Sequence, residues 1–557
     1  MAALPYTVLT TDYKLQASRF GGPALVRPGG LAGSTLRVLA MSAAFLLSFS
    51  LLAADPVAAD LVLRGGTVYD GSNSDGGIGD VAIKGDRIVA VGKFQVAGSP
   101  RIIDCKGLIV APGFIDLHSH SDSGITQPKT RQNANFLMQG CTTVVTGNCG
   151  SGPTDVADYF KKIDENGAGT NIFHLLPHGS LRSRVMQGDA NRPPSPDELA
   201  KMKELADKAM RDGACGMATG LIYVPGSFSK TDELIAIAQV VGKHGGFYAS
   251  HIRNESTQLL ESLDEILEIG REAKLPVHVS HIKVSGRSAW GLAPDAIKKL
   301  RDARAGGQKV TADQYPYAAS STSLSATVIP DELRSWEKLK AALDDPQRGP
   351  KVREGIERTL HGREDGNAIV IASFAPQRDW QGKGVGTIAK ETQQTPFDVV
   401  IDIMRRGGAQ IINFGMNEDE VRLFMREPWV ATASDGSTQS LDSQAQPHPR
   451  SFGTFPRKIG RYAIEGKIIP LSQAIYASSG LPAEVLRISD RGFLKLGYFA
   501  DVVVFDPATF RDVATYEKPL QWATGAKLVL VNGQVAVENE KPTDKLAGRA
   551  IRHPVIQ

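Results

Sequence analysis

The chain has 557 residues, 42% of them apolar and 22% charged, with a formal net charge of +3 at neutral pH. This is the balance of a folded globular protein, and no basic cluster interleaved with aromatics marks it for nucleic acid. Small molecules or peptides are therefore the expected substrates; no stable membrane partner is expected, and the sequence is silent on oligomeric state.

The first feature in chain order is an apolar, uncharged run from Val38 to Ala54. Arg27 and Arg37 precede it, and the small residues Val57, Ala58 and Ala59 follow. Basic, apolar and small residues in that order read as a secretory signal, making 1–59 a leader and the mature protein periplasmic or secreted. A single membrane anchor is the competing reading, since the run is just long enough to span a bilayer.

After Asp60 come short alternating segments broken by Gly and Asp: DLVLRGGTVYDGS, GDVAIKGDRIVAVG and RIIDCKGLIVAPG. Their period of two predicts antiparallel strands. Segments of the same kind return at 500–507 and 526–540, so 60–112 and 481–557 are expected to form one small β-sandwich domain from both chain ends.

Between them, over 113–480, apolar strands alternate with helical stretches, the pattern of parallel βα units. Eight strands are predicted, at 113–120, 142–149, 171–179, 216–221, 246–252, 276–283, 309–317 and 429–436. Eight such units mean an α/β fold of the (β/α)8 TIM-type barrel class, with its chemistry at the C-terminal ends of the strands. The gap before the last strand exceeds one loop and helix, so an inserted lid is expected around 325–392.

Those strand ends carry residues that can hold a metal. His118 and His120 sit two apart on the first strand and so share a face. Cys149 ends the second strand, His251 the fifth, His281 the sixth and Asp435 the eighth. Imidazole nitrogen, thiolate sulfur and carboxylate oxygen are the donors zinc prefers. Each has an ordinary alternative, a core thiol for Cys149 or a helix cap for Asp435, but six such residues at six suitable positions point to one shared site. Cys105, Cys141 and Cys215 read as buried thiols, and His278 as core on the opposite strand face. His244, His361 and His553 read as solvated, while His174, His178 and His448 stay open.

With these residues in place the chain resembles the amidohydrolase superfamily, and within it the N-acyl-D-amino-acid deacylases. The resemblance runs through nearly everything after Asp60. It is carried by GNCG at 147–150, SHIKVSG at 280–286, DQYPYAASST at 313–322, SDG at 434–436 and HPRSFGTFPR at 448–457. It implies one tightly held zinc on Cys149, His251 and His281, with His118, His120 and Asp435 lining a neighbouring position that is weakly or not at all occupied. It also implies that Lys283, Tyr315 and Arg450 face the substrate and bind its carboxylate.

The expected reaction is hydrolysis of an N-acyl-D-amino acid by metal-activated water, with Asp435 as general base and then general acid. Cyclic amides, N-acyl-D-glutamate or aspartate, and peptides with a D-residue fit the same chemistry. A non-catalytic binding protein on the same barrel is the alternative of another class, disfavoured because no site position is replaced by an inert residue.

Overall fold

A computed structural model describes residues 55–187 and 191–554. The run from Val38 to Ala54, read above as an export signal, lies outside the described residues. No helix among the described residues is long and apolar enough to cross a membrane.

Eight segments pair in parallel, in the order of the sequence. Phe114–Asp116 pairs with Cys141–Thr146, which pairs with Asn171–His174. The third strand bends at Leu175 and continues as Leu176–Pro177 against Gly216–Gly220. Phe247–His251, Val277–Val279, Val310–Gln314 and Val430–Thr432 follow in turn. The last strand returns to the first through a parallel bridge between Ser119 and Gly436, and the Asp435 amide donates to the His118 carbonyl at 2.8 Å. These are the eight strands expected from the sequence.

Their composition explains their place. A strand with helices outside and packed side chains inside is buried on both faces and reads as a continuous run; all six residues of Cys141–Thr146 are buried. The helices outside show the complementary pattern. Pro196–Arg211 starts with a capping box between Ser195 and Glu198 and turns Met202, Ala206, Ala209 and Met210 inward. Leu259–Ala273 buries Leu259, Leu263, Ile266, Leu267 and Gly270 in the same way.

Between the seventh and eighth strands the chain builds a unit with its own apolar cluster, running from Leu324 to Ile411. Its antiparallel sheet places Gln410–Asn413 between Ser320–Ser323 and Ile369–Ser373. The unit extends from Ser320 to Asn413, wider than the segment expected from the sequence. The polar SSTS strand that opens it has no apolar alternation by which to be read.

The strands from the two chain ends join in a single nine-stranded sheet, where Ile109–Pro112 of the N-terminal part lies between Leu61–Val68 and Val502–Phe505 of the C-terminal part. One face encloses a cluster including Leu63, Val81, Ile83, Val502 and Leu530, while Val503, Phe505 and Val529 belong to the barrel's cluster. The C-terminal segment then runs back along the barrel, where Ile172 bridges to Ala550. That return corrects the expectation for His553, which is buried rather than solvated. His244 is also largely covered, with Nε2 2.7 Å from Asp207, whereas His361 is in solvent. Cys105, Cys141 and Cys215 are buried free thiols.

Candidate metal centre

Each donor is placed by the end of its own strand. His118 and His120 project from the first strand as it leaves the barrel, and Asp116, two residues earlier, anchors that segment. The Asp116 carboxylate accepts from the amides of His118 and Ser434 at 3.1 and 2.9 Å, and from the Ser434 hydroxyl. It is wholly buried, and burial pushes its pKa up to about 7.

Cys149 stands in a tight turn. Gly147, Cys149 and Gly150 all have positive φ, and a Cβ at Gly147 would lie 2.0 Å from the Leu175 carbonyl oxygen. The TGNCG sequence is therefore what allows the chain to double back at the strand end. His281 and Asp435 share this unusual backbone, with φ of 35° and 49°. For non-glycine residues such conformations cost on the order of 1 kcal/mol or more and concentrate where a side chain must be aimed.

The structure brings the six expected donors together. Cys149 Sγ lies 3.3 Å from His118 Nε2, 3.6 Å from His281 Nε2 and 3.9 Å from His251 Nδ1. Asp435 Oδ1 is 3.0 Å from His120 Nε2 and 3.5 Å from His118 Nε2. Donor atoms of Cys149, His251 and His281 all fall within 4.8 Å of one another, and so do those of His118, His281 and Asp435, and of His118, His120 and Cys149. A cation can be shared by such a set.

Burial sets the charge of these donors. It pushes the Cys149 thiol well above its usual range, and it lowers His118 to about 4 and His251 well below the ordinary imidazole value. The Cys149 thiol with the neutral imidazoles of His118 and His251 suits a divalent cation, which would displace the thiol proton and take the free imidazole lone pairs. Burial would also raise Asp435, but Arg450, His281, His120 and His118 outweigh it and keep the carboxylate ionised.

Two acidic residues that the sequence reading passed over hold the imidazoles in place. Glu255 lies 3.0 Å from His281 Nδ1 and 3.6 Å from His251 Nε2, and it receives a hydrogen bond from Lys283. Asp313 accepts from the His281 amide at 2.6 Å and pairs with His278 Nε2 at 2.8 Å, with His118 Nδ1 3.6 Å away. Both are ionised: burial would raise them, but the neighbouring imidazoles, with Lys283 for Glu255, hold them well below the usual carboxylate range. Carboxylates behind metal-facing imidazoles fix ring orientation and raise ligand basicity. Glu255, four residues beyond His251 in SHIRNES, could have been found as an acid just past a ligand-bearing strand end.

Of the expected substrate residues, Lys283 is buried with its ammonium on Glu255 and on the His281 carbonyl. Arg450 reaches Asp435 Oδ2 at 2.8 Å without hydrogen-bond alignment and donates to the Ser321 carbonyl at 3.2 Å. Tyr315 lies between them, its ring centre 4.8 Å from the Arg450 guanidinium and 5.8 Å from the Lys283 ammonium. His448 belongs to this wall: its Nδ1 accepts from the Arg450 amide and its Nε2 donates to the Ala319 carbonyl. His174 and His178 are buried elsewhere, against Thr146 and Glu233 respectively.

Two cavities open on the centre. One, about 1100 Å³, includes His120, Cys149, Asp435 and Arg450 in its lining. The other, about 340 Å³, is lined by His251, His281, Lys283, Tyr315 and Asp435, together with residues of the inserted unit.

A barrel that gathers four imidazoles, a thiol and a carboxylate at the C-terminal ends of its strands defines a metal-dependent hydrolase. Residues 101–537 match the amidohydrolase family, and the chain belongs to it. It is 35% identical over 515 residues to a D-aminoacylase of Alcaligenes xylosoxydans xylosoxydans, covering 88% of this chain and 97% of that protein. A crystal structure of a D-aminoacylase superposes with a TM-score of 0.77 at 34% identity, covering 89% of this chain and all of the other. An N-acyl-D-glutamate deacylase of Bordetella bronchiseptica, solved with zinc and a phosphonate mimic of the tetrahedral intermediate, gives the same TM-score at 31% identity, with 89% of this chain and all of that one covered.

Proposed function

We propose that this protein is a zinc-dependent N-acyl-D-amino-acid deacylase. The observation that carries the reading is the convergence of Cys149 with His251 and His281 in a buried pocket, beside a carboxylate that faces the same space. Those three residues would hold one zinc tightly, and His118, His120 and Asp435 would line the second, weaker position. Bound there, zinc supplies Lewis acidity, which brings the pKa of water toward neutrality and polarises an acyl carbonyl.

The protein's own groups do the rest. Asp435, ionised and 3.0 Å from His120, takes a proton from the attacking water and returns it to the leaving nitrogen. An amide nitrogen is a poor leaving group unless it is protonated, so that second transfer matters as much as the first. Arg450 offers a planar fork for the substrate carboxylate, with Lys283 adding positive charge 5.8 Å from the Tyr315 ring centre. Hydrolysis of N-acetyl-D-amino acids by the purified protein, with stoichiometric zinc and no turnover of the L-series, is the expected result. Turnover of a hydantoin or a peptide with none of the D-series would refute it. Export is part of the proposal, on the strength of the run from Val38 to Ala54; cell fractionation tests it.

A further inference from the structure

The smaller cavity is lined by a cation that no carboxylate among the described residues pairs. Four cationic side chains line it: Arg253, Lys283, Arg334 and Arg363. Arg253 pairs with Glu265 at 2.8 Å, Arg334 with Asp331 at 2.7 Å, and Lys283 with Glu255. Among the described residues the Arg363 side chain has no carboxylate partner and makes one hydrogen bond, from Nη1 to the Thr359 carbonyl at 3.2 Å. It is also substantially desolvated, and burial lowers its pKa with no acid to offset the effect. A partly buried guanidinium without an anion gains from a ligand that supplies one.

Two further polar atoms in the lining lack partners. Ser227 Oγ and Asn413 Oδ1 are both buried without a hydrogen bond among the described residues. Arg363 follows the helix Gly349–His361 and Asn413 ends a strand, and both belong to the inserted unit. The barrel supplies the metal-facing residues and Ser227, and the insertion supplies Arg363 and Asn413.

We propose that Arg363 is a specificity-determining residue that receives a second carboxylate, that of an aspartyl or glutamyl side chain on the substrate's amino-acid part. The inference rests on the deacylase reading above and narrows it to acidic substrates. The amino-acid part is assigned to this cavity because the cavity is continuous with Lys283 and Tyr315. A carboxylate there would supply the anion that Arg363 lacks, through charge-assisted hydrogen bonds.

The test compares kcat/KM for N-acetyl-D-glutamate, N-acetyl-D-aspartate, N-acetyl-D-leucine and N-succinyl-D-leucine in the full-length zinc-loaded enzyme and in Arg363→Ala and Arg363→Lys. Ratios are taken within each preparation, so any loss of folded protein cancels. The wild type should favour an acidic amino acid over leucine by about tenfold or more. Arg363→Ala should lower kcat/KM on that substrate by roughly 10- to 100-fold, the range for losing a hydrogen bond to a charged group, and leave N-acetyl-D-leucine within about threefold. Arg363→Lys should recover part of the loss, since it keeps the charge but not the fork. Equal effects of Arg363→Ala on acidic and neutral substrates would overturn the inference while leaving the deacylase reading standing. Dependence on Arg363 for N-succinyl-D-leucine alone would overturn it too, because it would assign the guanidinium to the acyl side. Inactivity of the wild type on all four substrates would remove the deacylase reading itself.

Discussion

The amide of Asp435 donates to the carbonyl of His118 at 2.8 Å, so the last barrel strand is fastened to the first at two residues of the metal centre. Closing the barrel and assembling the site are thus one structural event. The bond brings Asp435 Oδ1 to 3.5 Å from His118 Nε2 and sets the carboxylate between the imidazoles and Arg450. The neighbouring Ser434 bonds to Asp116 on the first strand, giving the junction a second, buried fastening. If Asp435 is the general base proposed above, this placement leaves it little freedom to lose when the substrate binds.

Cys149 should decide metal content. Replacing it by Ser removes the sulfur that three imidazoles surround, and the purified Cys149→Ser protein should contain much less than one zinc per chain by elemental analysis. Treating the wild type with a chelator should abolish activity, and added zinc should restore it; no such rescue is expected for the variant at the same zinc concentration.

Asp435→Ala should separate chemistry from metal binding. Turnover is expected to fall by about 10²- to 10⁴-fold, the usual contribution of a positioned acid or base, while zinc on the Cys149, His251 and His281 set remains. A variant retaining near-normal kcat would show that another group moves the proton.

Glu255→Gln tests the carboxylate behind the imidazoles. It touches His281, His251 and Lys283 from one position, so neutralising it loosens three side chains at once. Zinc affinity measured by competition with a chelating dye should weaken by roughly 10- to 100-fold, as for other supporting partners of metal ligands. Unchanged affinity would mean that the ligands are oriented by Asp313 and the backbone alone.

Lys458 offers a test of stability. It is fully buried, its Nζ has no hydrogen-bond partner among the described residues, and burial pushes its pKa down to about 7 despite the attraction of Asp313. Between about pH 7 and 10.5 the unfolded chain binds the proton that the folded chain releases, so this group makes stability rise with pH across that window. Below it the cost of burying the ammonium is fully present. Lys458→Met should therefore raise the melting temperature most at pH 6 to 7, by roughly 1–4 kcal/mol of stability, with the gain shrinking toward pH 10. A variant less stable than the wild type at every pH would show that the ammonium has a buried partner.

The barrel and most of the centre were legible in the sequence because they rest on short-range patterns. Apolar runs bounded by Gly and Asp predict strands, period two puts His118 and His120 on one face, and the chemistry of a βα barrel belongs at strand ends. The sequence by itself therefore determined the fold class and put six candidate donors at strand ends, which the structure brings together. Glu255 and Asp313 escaped it because an acid just past a strand reads equally well as a cap or a solvated charge. His553 escaped because burial of a polar-looking tail depends on where the tail returns.

Only the tertiary structure decided which charges are matched. Arg253, Arg334 and Arg363 are alike as letters in a sequence, and they differ in whether the fold brings a carboxylate within reach. The positive φ values at Cys149, His281 and Asp435 are likewise conformations that local preference seldom gives a residue with a side chain. Propensity acts over a few residues, whereas electrostatic balance and ligand geometry depend on segments 28 to 316 residues apart, as Lys283 with Glu255 and Ser434 with His118 show.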